Sequence, residues 1–478
     1  MKKSLLFILP AMVLATSCVD TLDDYNIDPK RPLSGQVPGT TLVSSAERSL
    51  VRTLVSSSVN LNPFRLYTQY WAETTYFDES IYDIKTRNIN GGFWTALYRD
   101  VLRDLQEART IINANTDPTF DPKVKANQLA SIEVLEVYAW ATLVDTFGDV
   151  PYSEALDFTK APKYDDDMVI YNDLITRLDR AIGQFDVASE GLGSADLIYG
   201  GNVKEFVKFA NSLKLRLALT IADKDQAKAK TLAEAAAKAA LISSNEENAA
   251  IEFQSSNPNT NPLFEDLVQS GRNDFVGTSV FIDKLNMLND PRVDNYFKAR
   301  GGVYKGGVYG TSNNYASFSA PGAAQESATH PGVLLSYSQV EFLLAEAVER
   351  GFAVGGTAKS HYDNAVTASI QEWGGTTAEA TAYLAQPTVN YLTATGDYRE
   401  KIGTQKWIAL YDQPVDSYRE YRRLDYPKLT KPAGALSNLP NRFPYPVVEQ
   451  NLNAANNSAA AAAIGGDNVD TKIFWDVR

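Results

Sequence analysis

The chain of 478 residues has one cysteine, two histidines and four methionines. A single thiol leaves no intramolecular disulfide, and two imidazoles leave no His/Cys metal centre to assemble. Beyond Leu14 no apolar run approaches the roughly 18 residues that a membrane-spanning helix needs. There is no G-x-G-x-x-G, no P-loop and no G-x-S-x-G elbow, so phosphate cradles and serine-hydrolase chemistry find no support. Basic residues are outnumbered, 45 against 58, for a formal net charge of −13. That excess of acid disfavours nucleic acid and anionic lipid headgroups as partners. Paired carboxylates can run a glycosidase, but among so many acids such pairs arise by chance. Asp145 and Asp149, which flank Phe147-Gly148, read as a capped, solvated turn. His330, before Pro331, and His361, near a helix start, read as ordinary surface histidines. No cofactor is implied, and no residue asks to be called catalytic.

The one cysteine stands where a lipoprotein needs it. Lys2 and Lys3 precede the apolar stretch Leu5–Leu14, and the small residues Ala15-Thr16-Ser17 lead to Cys18. This is the grammar of a bacterial export signal over 1–17, with Cys18 as the lipidated new N-terminus. Acyl chains at that position hold a protein on a bilayer, each buried CH₂ contributing about 0.8 kcal/mol. Residues 18–39, rich in Asp, Pro and Gly, read as a tether.

From 40 to 478 helical periodicity dominates, and the expected fold is a single, mostly α domain. Leu129, Ile132, Leu135, Ala139 and Leu143 lie three or four apart and make one apolar stripe; Phe206, Ala210, Leu213, Leu217 and Ile221 repeat it. Leu334 to Val348 is apolar on nearly all sides and predicts a buried helix. Further helices are expected near 41–57, 93–114, 168–184, 225–242, 358–372, 398–411 and 415–424. No persuasive period-two strand occurs. Aromatics one turn ahead of apolar residues, at Trp94, Tyr171 and Tyr362, hint at tetratricopeptide-like pairs, although no clean 34-residue period emerges.

Two segments break the helical pattern. Residues 60–92 hold Tyr76, Phe77, Tyr82 and Arg87 among polar residues. Residues 299–332 contain Gly301-Gly302-Val303-Tyr304, nearly duplicated at Gly306-Gly307-Val308-Tyr309, followed by Asn313, Asn314 and Tyr315. Long loops in a compact domain are often functional, and a sugar needs flat rings for its apolar face and amides or Arg at its edge. Tyr76, Phe77, Tyr82, Arg87, Tyr304, Tyr309, Asn313, Asn314 and Tyr315 are therefore the candidate ligand residues, with Tyr304 and Tyr309 expected to be removable without unfolding. Trp71 and Trp94 read as core.

Several strings in order resemble the SusD/RagB family. They are Asp24-Tyr25-Asn26, Gln69-Tyr70-Trp71-Ala72, Asp145-Thr146-Phe147-Gly148-Asp149-Val150-Pro151-Tyr152, Ala210-Asn211-Ser212-Leu213-Lys214-Leu215-Arg216, Glu420-Tyr421-Arg422-Arg423 and Pro440-Asn441-Arg442-Phe443-Pro444-Tyr445-Pro446. The resemblance implies tetratricopeptide-like helix pairs with long irregular loops on one side. It also implies a non-catalytic outer-membrane lipoprotein, facing the cell exterior, that captures oligosaccharides, or in some members peptides. The captured nutrient would pass to a SusC-like TonB-dependent β-barrel transporter. Within that frame Arg216 or Arg422 would neutralise buried acids. A lipid-anchored hydrolase and a structural adaptor are the competing readings.

Overall fold

A computed structural model describes residues 37–84, 86, 88–157 and 159–478. The export signal, Cys18, the tether up to residue 36, and Arg87 lie outside the described residues.

The chain folds mostly into helices, and successive helices pack against one another in pairs. α1 (Gly39–Val55) lies on α2 (Arg103–Ala114), and α3 (Pro122–Phe147) on α4 (Asp167–Gln184). α5 (Val203–Thr220) packs on α6 (Gln226–Ala237), and α7 (Tyr337–Glu349) on α8 (Ala358–Glu372), which also meets α9 (Thr377–Leu384). α10 (Tyr398–Ala409) pairs with α11 (Pro414–Leu424). Most starts have a local cause. Asp121 accepts from the Lys123 amide ahead of Pro122, and Asn202 and Ser336 cap α5 and α7 in the same way. Thr357 with Ser360, and Thr376 with Glu379, close reciprocal capping boxes on α8 and α9.

The stripe predicted on α3 is an understatement. From Ala130 to Phe147 this helix is buried on every side, because α2, α4 and α5 enclose it. Two of its three carboxylates inside that shell, Glu133 and Glu136, are met by Arg109, Arg177 and Arg180. The buried helix expected over 334–348 starts three residues late. Gly332–Leu335 form β6 instead, paired antiparallel with β4 (Ala249–Ile251), and the helix begins at Tyr337 behind the Ser336 cap. Two further ladders complete the strands among the described residues: β1 (Trp71–Glu73) with β5 (Phe275–Gly277), and β2 (Val150–Pro151) with β3 (Tyr164–Asp165). They are too short for alternation to show in the sequence.

An aromatic cluster holds the loops to the helices. Tyr296 and Tyr411 stack at 4.3 Å, and Tyr70 stacks on Trp407 at 5.6 Å. Trp71 Nε1–H donates to Tyr411 Oη at 2.7 Å, and Trp407 Nε1–H to the Thr68 carbonyl at 2.9 Å. Trp71 is core, as its position in the sequence suggested. Arg216 meets Asp416 at 3.3 Å. Arg422, expected to neutralise an acid, donates instead to the backbone carbonyls of Tyr418 and Asp145 and lies 3.8 Å from the Tyr418 ring centroid.

Candidate functional site

The two irregular segments meet. The β1–β5 ladder sets Glu73 opposite Phe275, so the chain leaving β1 and the chain around β5 emerge side by side. The 299–332 segment then returns to this edge: the Gly307 amide donates to Gly277 O, and the Ser279 amide to Gly307 O, both at 2.8 Å.

The near-duplicate Gly-Gly pairs have different causes. Gly301 and Gly302 sit at φ 62° and 81°, closing a two-residue turn between Arg300 and Val303 whose amides and carbonyls exchange hydrogen bonds. Gly306 is needed for close approach, since a Cβ there would stand 2.2 Å from the Ser279 nitrogen.

Asn313 stitches the segments together. Its side chain accepts from the Val308 amide at 2.8 Å and donates to Glu73 O at 3.0 Å, Val308 O at 3.0 Å and Thr311 O at 2.8 Å. Its own amide and the Ser312 hydroxyl both reach the Thr74 carbonyl.

The eight candidate residues that are described therefore divide. Tyr82 and Tyr309, 4% and 7% exposed, turn their rings toward each other and toward Tyr67 beneath the loops. They and the buried Asn313 are scaffold, with no open face for a ligand. Burial of the Tyr309 ring in the core runs against the expectation that it can be removed without unfolding. Tyr76 is 66% exposed, and Phe77, Tyr304 and Tyr315 are half-buried. Asn314 is exposed and caps the short turn Tyr315–Ser317.

Sequence reasoning missed the cations. The Arg300 guanidinium lies 5.2 Å from the Tyr315 ring centroid, and Lys305 Nζ lies 5.3 Å from that of Phe318. Arg272, paired with Asp274 at 2.7 Å, lines a recess of about 50 Å³ with Tyr76. Arg300 and Lys305 bracket the first Gly-Gly-Val-Tyr, which is the one signal that would have exposed them. The two joined loops therefore present ring-bearing surface, Tyr76 and Phe77 on one and Tyr304 and Tyr315 on the other, with Arg300 beside Tyr315, Lys305 beside Phe318, and Val303 and Val308 exposed. Such a surface can stack the apolar face of a sugar and hydrogen-bond its rim.

Under the joined loops lies a buried carboxyl pair. Burial and the adjacent Glu79 push the Glu73 carboxyl from its ordinary value of 4.5 up to about 9, although the Ser80 hydroxyl donates to it at 2.6 Å. The folded protein thus holds a proton that the unfolded chain releases above about pH 4.5. This contribution to stability is complete below that pH and is lost as pH rises toward 9. Thermal unfolding followed from pH 5 to pH 9 should show a falling midpoint that is flattened in Glu73→Gln. A wild-type slope equal to the variant's would refute the buried proton.

The histidines are not ordinary surface residues. His330 Nε2 contacts Asp412, which also receives Arg65 at 3.0 Å, and His361 Nδ1 contacts Glu341 at 2.7 Å. Burial alone would lower both imidazoles, but the neighbouring carboxylates outweigh it and raise them. Asp145 is likewise buried rather than solvated, receiving Tyr171 Oη at 3.2 Å and Trp475 Nε1 at 3.0 Å. The carboxylates of Asp149, Asp166 and Asp167 converge within 4.8 Å. Each already accepts a backbone amide, from Asp167, Val169 and Phe474 respectively, which accounts for the cluster as a helix-start cap.

The structure is a helical protein built from paired helices that carry two joined, ring-bearing loops. Among the described residues no helix is long and apolar enough to cross a membrane. The chain belongs to the SusD-like family described as starch-binding and associating with the outer membrane, whose model matches residues 30–446. Its fold is similar to a chitin-binding protein at 26% identity, covering 92% of this chain and 100% of that one, with a TM-score of 0.80. A SusD homolog from Bacteroides uniformis is 28% identical, covering 91% of this chain and 99% of the other, at a TM-score of 0.78. A chitin-binding SusD homolog from Flavobacterium johnsoniae is 25% identical, covering 92% and 99%, at a TM-score of 0.78. No curated protein matches the chain.

Proposed function

We propose that this protein is a non-catalytic capture protein for oligosaccharides, anchored in the outer membrane through lipid on Cys18 and facing the cell exterior. It hands its ligand to a SusC-like TonB-dependent β-barrel transporter. The ligand lies across the platform of Tyr76, Phe77, Tyr304, Asn314 and Tyr315, with Arg300 and Lys305 at its edge. What supports this reading is that two ring-bearing loops are tied together through Asn313 and Glu73, with Tyr76 open to solvent, on a fold whose family is described as starch-binding. The chitin-binding relatives support a glycan over a peptide.

Isothermal titration with malto- and chito-oligosaccharides tests the ligand class. Tyr76→Ala should weaken binding by about tenfold or more with an unchanged melting temperature, because loss of one ring stack removes an interaction on that scale. Heat from peptides, with none from either glycan, would replace the ligand class. Affinity purification of the lipoprotein from native membranes should bring a β-barrel with it.

A further inference from the structure

We propose that the protein carries a second saccharide site, a groove of about 480 Å³ that shares no lining residue with the loop platform. This inference takes its ligand class from the capture reading above. The groove lies between the helical segments Ile89–Thr95 and Ala96–Leu102, the arm following β2, and the helix Val447–Leu452. Its volume falls within the range of about 300–1,000 Å³ typical of ligand sites.

The groove has an aromatic floor. Trp94 and Tyr98 lie 4.7 Å apart between ring centroids, and Trp94, only 6% exposed, turns its remaining surface to the groove. The rings continue through Trp140 and Tyr152 at centroid spacings of 5.3 and 4.9 Å. Those two line an adjoining cavity of about 450 Å³, and Ala155 and Leu156 form a wall common to both. The two cavities thus adjoin across that wall.

The arm is braced where it leaves and re-enters the body. Tyr98 Oη donates to Pro151 O at 2.6 Å, and Asn453 Nδ2 donates to Pro162 O at 2.8 Å. Between these ties Leu156 takes φ 63°, the left-handed region that a leucine adopts at a cost. The strained turn places Leu156 on the wall between the two cavities.

Charge selects the occupant. Three cations stand at the rim, and each has its own carboxylate: Arg99 with Asp100 at 2.6 Å, Lys160 with Glu154 at 3.1 Å, and Arg103 near Glu107 at 3.9 Å. The rim acids are also engaged, Glu449 by Tyr164 Oη at 3.0 Å and Asp157 by the Thr159 amide at 3.0 Å. An ionic ligand would compete with these pairs. A neutral saccharide would lay its apolar face on the half-buried Tyr98 and on Ala155, Leu156 and Leu452, and share its hydroxyls with the rim.

The test is calorimetric titration of the full chain with malto- and chito-oligosaccharides, comparing wild type, Ala161→Trp and Tyr76→Ala. Ala161 is an exposed groove residue, so a tryptophan there fills the groove from the solvent side. At least one probe should titrate two sites on wild type. Ala161→Trp should weaken one of them by about tenfold or more and leave the other, and Tyr76→Ala should do the reverse. If Ala161→Trp unfolds the protein, Ala155→Phe obstructs the same groove from the arm. One site, lost in Tyr76→Ala and untouched in the groove variants, overturns the groove and leaves the capture reading standing. Binding lost only in the groove variants supports the groove and overturns the platform. Absence of binding by either probe to wild type overturns both.

Discussion

Replacing Arg423 by alanine should destabilise the protein by about 3–5 kcal/mol, the range seen when one partner of a buried charge pair is removed. Arg423 makes a two-pronged contact with Glu346, one arm at 2.6 Å, and reaches Glu420 at 2.7 Å. Glu420 in turn takes Lys406 at 2.6 Å, and Glu346 takes Arg350 at 2.7 Å. Arg423, Glu420, Glu346 and Lys406 are all at most 3% exposed. Without the guanidinium, two carboxylates stay buried with less than their neutralising charge. The network ties α11 to α7 and α10, so its loss is felt across the helical stack rather than in one turn. Arg180→Ala provides the contrast: that residue also meets a carboxylate, at 3.0 Å, but its side chain is 59% exposed. Its removal should change stability by about 1 kcal/mol or less. Urea unfolding of the two variants reads the difference directly, and equal midpoints would refute the importance assigned to the network.

Asn313→Ala should abolish most ligand binding while leaving the helical stack folded. The side chain makes four hydrogen bonds that hold the 299–332 segment against the end of β1. Alanine leaves the buried carbonyl of Glu73 without this donor, at about 1–3 kcal/mol for an unsatisfied buried group. The platform would then lose its shared footing, and affinity for an oligosaccharide should fall by more than tenfold, an effect of the same free-energy scale. Asn313→Asp separates the roles, since it keeps the acceptor for the Val308 amide and loses the donors. Its binding should be nearly as weak as that of the alanine variant. Limited proteolysis should cut near residues 299–320 in both variants and spare the helices. Wild-type affinity in Asn313→Ala would show that the platform does not depend on the stitch.

Much of the architecture was legible because helices announce themselves locally. The 3.6-residue spacing in α3 and α5, and acceptor side chains such as Asn202, Ser336 and Thr357, act within a few residues of where they stand. The ordered strings that resembled the family proved equally informative, since the family model spans residues 30–446. The strands were not legible. Trp71–Glu73 pairs with Phe275–Gly277 over three residues, and nothing in either segment names its partner. The candidate site was legible in part, since the loops were identified by composition. Composition could not separate Tyr76, which faces solvent, from Tyr82 and Tyr309, which face each other.

The amino-acid sequence by itself determined the helical class, many of the helix caps, the strings that mark the family, and that one cysteine leaves no intramolecular disulfide. These depend on composition and on interactions between near neighbours. The tertiary structure alone decided which tyrosines are open to a ligand and which charges are neutralised in the interior. It alone decided that the arm after β2 roofs an aromatic groove. Each of these depends on residues far apart in the chain, as Asn313 is from Glu73 and Arg423 is from Glu346. Burial and pairing at such distances are set by how the helices stack, and periodicity along one segment carries no record of it.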